Sequence, residues 1–227
     1  MIAVAGALQA VSIAAPWNGQ PLGWLQLLSM AIFAVNLNAA GSWKTAAAWG
    51  WLFAWTWLTG ALWWLYVAMH TYAGLPAWIA VLAVIALTAA LSIYYGAAVA
   101  AYHVWRPSNP YAAAALFAVC WMMAELARGT WLTGFGWGAI GYAHVNMLAR
   151  ASVYLGSYGV AALVAAMASL MAATSTRKHW QSAATTGAAA IAIGTIMAVN
   201  PPPFTVPTKA IQVALLKGNI AQGEKFE

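Results

Sequence analysis

The sequence predicts an all-α polytopic membrane helix bundle of about seven transmembrane helices, followed by the first β-strand of a different domain. Three observations predict it. The 227 residues are 64% hydrophobic and only 5% charged. Their apolar residues fall in unbroken runs long enough to cross about 30 Å of hydrocarbon. The character of the chain then changes at Asn200, where three consecutive prolines, Pro201, Pro202 and Pro203, follow. Because lipid cannot hydrogen-bond a backbone, such a composition demands spanning helices or a closed barrel, and the long uninterrupted runs favour helices.

Seven apolar segments stand out, at about 2–15, 22–40, 46–68, 76–101, 111–127, 150–173 and 183–199. The first is short enough to be a signal-peptide core, but it lacks a basic leading region and reads as a short membrane helix. Breaks separate the segments: 16–21 contains Asn18-Gly19 between two prolines, Gly41-Ser42-Trp43-Lys44 is a polar interruption, and Gly74-Leu75-Pro76 turns the chain. Arg106-Pro107-Ser108-Asn109-Pro110 is a strong helix stop and restart. A polar stretch at 174–179 closes the sixth segment. In the third, Trp49, Trp51, Trp55 and Trp57 crowd one end and Trp63, Trp64 and Tyr66 the other. That pattern fits amphipathic rings at two membrane interfaces, with helix packing as the alternative. Small residues such as Gly96, Ala97, Ala100 and Ala101 permit close helix approach.

Residues 1–200 thus form a transmembrane domain and 201–208 a proline-rich linker, since Pro201–Pro203 cannot continue a helix. Residues 209–227 open another domain: 209–216 has the length and composition of a strand, and Lys217-Gly218-Asn219 follows as a turn. One strand without partners is not a stable unit, so this stretch reads as the start of a larger domain.

The net charge of +6 does not point to nucleic acid, because the nine Lys and Arg are scattered between apolar runs rather than gathered on one face. They read as topology signals. Loops after segments two, four and six carry Lys44, Arg106, Arg177 and Lys178, whereas those after one, three and five carry only Arg128 and Arg150. The positive-inside bias then places the N-terminus in the cytoplasm and everything beyond segment seven outside.

Function is expected in the stretch 125–142, which sets Glu125, the only acidic residue of the first 223, beside Arg128 and ahead of a loop rich in glycine and aromatics. Glu125 and Arg128 stand at i, i+3 on a helix end, close enough to pair and brace the loop; contact with a lipid headgroup is the alternative. Arg128 and Arg150 lie on the outer side, where a phosphate can reach a bidentate guanidinium, or where each simply snorkels to the interface. Trp131, Phe135, Trp137 and Tyr142, interleaved with Gly134, Gly136, Gly138 and Gly141, either form a pliable loop lining an entrance or form an interfacial belt. Cys120 sits among Leu116, Phe117, Val119 and Trp121, a setting that disfavours the reactive thiolate, and reads as packing. His70, His103, His144 and His179 are isolated without ligand spacing, so neither a metal site nor a cofactor is expected.

These residues resemble the apolipoprotein N-acyltransferases, bacterial membrane enzymes of lipoprotein maturation. Glu125, Arg128, Gly129, Leu132-Thr133-Gly134-Phe135, Trp137, Gly141 and Tyr142 are similar to the loop after that family's fifth helix. Tyr158-Gly159-Val160 resembles the start of its sixth helix, and Trp64, Tyr66, Val67, Gly74 and Pro76 the end of its third and the following turn. The stretch 213–222 is similar to the first strand and loop of its nitrilase-like domain. The resemblance implies an inner-membrane protein with that domain in the periplasm and an eighth helix after it. It implies transfer of an acyl chain from phospholipid to a cysteine thiol, then to the N-terminal diacylglyceryl-cysteine of an apolipoprotein. In the family a glutamate is the general base, a lysine stabilises the oxyanion and a cysteine is the nucleophile. Those three positions lie beyond residue 227, so no catalytic residue is assigned in this chain, which is expected to be inactive alone, and Glu224 and Glu227 do not fill the roles. Phe226 stands where many relatives carry a tryptophan, keeping the aromatic ring without the indole N–H. The competing reading is a seven-helix binding or transport protein, disfavoured because transporters usually carry several intramembrane ionisable groups and internal repeats.

Overall fold

The computed structural model describes residues 1–174 and position 214. Among these residues the architecture is all-helical, in the order α1 (Ile2–Ile13), α2 (Gly23–Leu37), α3 (Trp43–Ala61), the short α4 (Trp64–Val67) continued by a π-helical turn (Ala68–Tyr72), α5 (Ala77–Trp105), α6 (Pro110–Thr130) and α7 (Ala149–Thr174). Two 3-10 turns, Trp131–Thr133 and Ile140–His144, lie in the connection from α6 to α7. The first six apolar segments therefore appear as helices. Segment 183–199 and the linker 201–208 lie outside the described residues, as does the strand expected at 209–216 apart from position 214.

The punctuation works through caps. The Ser42 hydroxyl accepts from the Thr45 backbone N–H at 3.2 Å to open α3. Asn109 opens α6, its Oδ1 accepting from Tyr111 and Ala112 at 2.9 and 3.1 Å, with Pro110 as the first helical residue, where its missing N–H is no loss.

Among the described residues, length assigns fewer spans than the six that the sequence reading expected there. α5, α6 and α7 are long and apolar enough to cross a membrane, and a fourth span arises if α3 and the segment after it, bent by 48°, act as one. With 12 and 15 residues, α1 and α2 reach only ~18 and ~22 Å at 1.5 Å per residue, short of the hydrocarbon thickness. They also carry buried polar groups, Gln9 and Ser12 on α1 and Gln26 and Ser29 on α2. Ser29 donates to the Ala5 carbonyl at 2.7 Å, tying the two helices together.

α3 packs most extensively on α5, α6 on α7, and α1 lies against both α2 and α3. The α3–α5 crossing is close because Gly50 and Gly96 face the opposite helix: a Cβ on Gly50 would stand 2.9 Å from the Val99 side chain, and one on Gly96 3.1 Å from the Ala47 carbonyl. The core beside this crossing is aromatic. Phe33 stacks on Phe53 at 4.4 Å, Trp57 on Trp121 at 6.1 Å, and Tyr95 meets Trp121 at 4.9 Å. Trp57 is fully buried in this core, and Trp51 and Trp55 donate their indole N–H groups to Ala89 and Ile85 carbonyls on α5. Packing, not an interfacial belt, places these three rings. The exposed Trp63 and Trp64 at the other end keep the character expected of an interface.

Candidate functional site

The end of α6 poses a problem of unpaired backbone. Beyond Thr130 the chain runs through an irregular loop before α7, so its carbonyl and amide groups lack helical partners, and each costs free energy if it is buried unpaired. Glu125 and Arg128, one turn apart near the end of α6 and both buried, answer it. Arg128 donates through Nη1 to the carbonyls of Phe135 and Trp137 at 2.6 and 2.7 Å, and through Nε to the Tyr95 hydroxyl on α5 at 3.0 Å. Glu125 accepts the Ile140 N–H on Oε1 at 2.9 Å. The two side chains do not hydrogen-bond each other. Where the i, i+3 spacing suggested a direct pair, each instead grips the loop, and charge-assisted bonds of this kind are about twice as strong as neutral ones.

Glycines give the loop the path that presents those groups. Leu132, Thr133, Gly134 and Gly138 all have positive φ, between 50° and 78°. A Cβ on Gly134 would overlap the Gly129 carbonyl. Two non-glycine residues in the left-handed region, one of them β-branched, store strain on the order of 1–3 kcal/mol each. Gly129 serves a different purpose, leaving room for the Tyr158 hydroxyl from α7 where a side chain would collide with it.

The far end of the loop is fastened separately. His144 is buried, and its Nε2 donates to Gln26 Oε1 at 2.9 Å, while the Gln26 amide donates to Gln9 Oε1 at 3.4 Å. Burial pushes His144 down to about 4, so the ring is neutral at physiological pH. Gly23 is required beneath it, since a Cβ there would come within 2.9 Å of His144 Nδ1.

Between the two fastenings an open cavity of about 430 Å3 is lined by Ala61, Leu62, Trp64, Gly136, Trp137 and Tyr142, among others. Trp137 meets Trp64 edge to face at 5.7 Å, and both rings are largely exposed. The arrangement is a rigidly held loop backbone that displays aromatic rings beside an opening, suited to an apolar chain carrying a polar end.

Of the residues singled out in the sequence, Glu125, Arg128, Phe135 and Trp137 come together at the clamp, and Trp137 and Tyr142 share the cavity. Trp131 turns to another face and meets Tyr94 at 6.2 Å. Arg150 stands exposed at the start of α7, apart from the Arg128 cluster. Cys120 is half-buried on α6 in an apolar groove between α5 and α6, away from the clamp. Sequence reasoning missed Tyr95, His144, Gln26 and Gln9 as partners. A buried glutamine in each of two short apolar helices was the signal that could have led to His144.

A family model described as the apolipoprotein N-acyltransferase N-terminal domain matches residues 5–170. Relatives named apolipoprotein N-acyltransferase include a protein of Verminephrobacter eiseniae, 44% identical over 98% of this chain and 44% of its own length. A second, from Ralstonia nicotianae, is 40% identical over 51% of this chain and 22% of its own. A third, from Bordetella bronchiseptica, is 36% identical over 50% of this chain and 22% of its own. The chain thus spans less than half the length of these relatives. By the match of its residues 5–170, which carry both the clamp and the loop that it holds, the chain belongs to the family of apolipoprotein N-acyltransferase N-terminal domains.

Proposed function

We propose that the chain is the membrane portion of an apolipoprotein N-acyltransferase that transfers an acyl chain from phospholipid to the N-terminal diacylglyceryl-cysteine of apolipoproteins through a cysteine thioester. The observation that carries this reading is the doubly clamped aromatic loop beside its 430 Å3 cavity, in a chain of that family. Loop and cavity guide acyl chains, and Arg128 fixes the loop rather than touching the substrate. Trp137 and Tyr142 supply the apolar contacts at the cavity, Phe135 gives Arg128 its hold on the loop, Trp131 faces the separate groove beside Tyr94, and Arg150, exposed at the same end, is the group free to meet a phosphate. Cys120 is not the nucleophile, because it lies on a spanning helix away from this cavity. The thiol, the general base and the oxyanion lysine belong to a nitrilase-like domain outside residues 1–200, held at the extracytoplasmic face of the inner membrane.

The test is acylation in cells depleted of their own enzyme. The full gene product carrying this chain is expected to convert a diacylated model lipoprotein to the triacylated form, read by mass spectrometry of its N-terminal peptide. Trp137→Ala is expected to slow conversion at least tenfold at equal expression. No conversion by the unaltered gene product would refute the assignment.

A further inference from the structure

The end of the bundle away from the clamped loop holds a second, chemically different hollow. The ends of α2 and α5, the turn before α6 and the last turns of α7 enclose a cavity of about 190 Å3, whose walls include Asn38, Tyr102, Arg106, Ser108 and Ser169. The cavity between α5 and α6 and that beneath His144 are mainly apolar, whereas this one offers hydroxyls, an amide and a guanidinium. Arg106 lacks a carboxylate partner among the described residues. The only acidic residue of that part of the chain is Glu125, which lies ~22 Å away along α6 from Pro110. The Arg106 guanidinium stands 5.8 Å over the Tyr102 ring, and no hydrogen bond holds it among the described residues.

The start of α6 does not supply the attraction, because Asn109 already occupies the N–H groups of Tyr111 and Ala112. Arg106 does, with the Ser108 hydroxyl and the Asn38 amide beside it. An unpaired arginine fork at the mouth of a polar hollow suits the planar, two-point recognition of a phosphate. Lys44, in the first turn of α3, lies outside the lining of this hollow. Cationic hollows between spanning helices at a membrane surface complement anionic headgroups.

We propose that this hollow binds the phosphate of an anionic phospholipid, in the leaflet opposite the one the clamped loop faces, with Arg106 as the principal contact and Ser108 and Asn38 as supporting donors. The site is independent of acyl transfer. It anchors the α5–α6 turn to the membrane surface where α2 and α7 end.

The purified chain, released from nanodiscs containing phosphatidylglycerol and phosphatidylcholine in equal amounts, can be examined by native mass spectrometry. The unaltered protein is expected to retain phosphatidylglycerol preferentially, and Arg106→Gln to lower that retention roughly tenfold, as expected for loss of a charge-assisted contact. Arg106→Lys is expected to keep part of it, because a point charge remains without the fork. Lys44→Gln, a change at the same end outside the hollow, is expected to leave retention unchanged. Equal retention by Arg106→Gln and the unaltered protein overturns the proposal, and so does an equal loss with Lys44→Gln. If excess inorganic phosphate binds while neither lipid is preferred, the hollow is a free-phosphate site and the lipid assignment fails. Should Arg106→Gln not fold, retention by Arg106→Lys indistinguishable from that of the unaltered protein would count against the fork, and a partial loss would support it.

Discussion

Replacing Arg128 by methionine keeps a side chain about as long as the apolar stem and removes the guanidinium. Three bonds are lost: two to the Phe135 and Trp137 carbonyls and one to the Tyr95 hydroxyl. The two carbonyls are fixed by the loop path. Each buried group left without a donor costs about 1–3 kcal/mol. The expected destabilisation is therefore roughly 3–5 kcal/mol, a large part of the 5–15 kcal/mol that holds a typical domain together. Lysine at the same position keeps a charged donor but on a shorter side chain without the planar fork that also reaches Tyr95, so Arg128→Lys should recover about 1–2 kcal/mol of that loss. Denaturant titration in mixed micelles, followed by tryptophan emission, measures both, and limited proteolysis at the loop tells a local loosening from global unfolding. A loss below about 1 kcal/mol for Arg128→Met would mean that the loop carbonyls find other partners without difficulty and that Arg128 does not hold the loop.

Three further outcomes follow from the same geometry. His144 is held near 4 when folded, against about 6.5 in the unfolded chain, so the unfolded state binds more protons between those values and stability falls as pH drops from about 6.5 to 4 by up to about 3 kcal/mol. His144→Gln, which retains a donor toward Gln26, should flatten that slope in thermal unfolding at several pH values, and an unchanged slope would exclude His144 as its source. Gly129→Ala should destabilise through collision with Tyr158 and be partly rescued by Tyr158→Phe, which removes the colliding oxygen; strictly additive losses in the double variant would show that the contact does not limit packing. Cys120→Ala in the full gene product should leave lipoprotein acylation within about twofold, since the thiol lies in an apolar groove away from the clamped loop; a large loss would give Cys120 a role that its position does not explain.

The helices were legible because their signals are local. Apolar runs, the Ser42 and Asn109 caps and Pro110 are read within a few residues of where they act. The span count was less legible: a run of apolar letters does not reveal that α1 and α2 close after 12 and 15 residues around buried glutamines. The clamp was half legible. A glutamate and an arginine at the end of an apolar segment announce a site by their cost in lipid, but spacing along one helix pointed to a pair. Their actual partners depend on a loop path set by glycines at positive φ, which sequence distance does not encode. Tyr95 is 33 residues from Arg128, and Gln26 is 118 from His144. Such contacts arise only when α5 and α2 have packed.

In the proposed function the clamped loop lies at the extracytoplasmic face and the Arg106 end in the cytoplasm. In a Cys120→Ala background, single cysteines at Trp137 and Ser108, both outside the long spans, can be treated in intact spheroplasts with a membrane-impermeant maleimide. Labelling is expected at position 137 from outside and at position 108 only after the membrane is broken. The reverse pattern would contradict that placement, because the aromatic loop would then open on the wrong leaflet to meet lipoproteins.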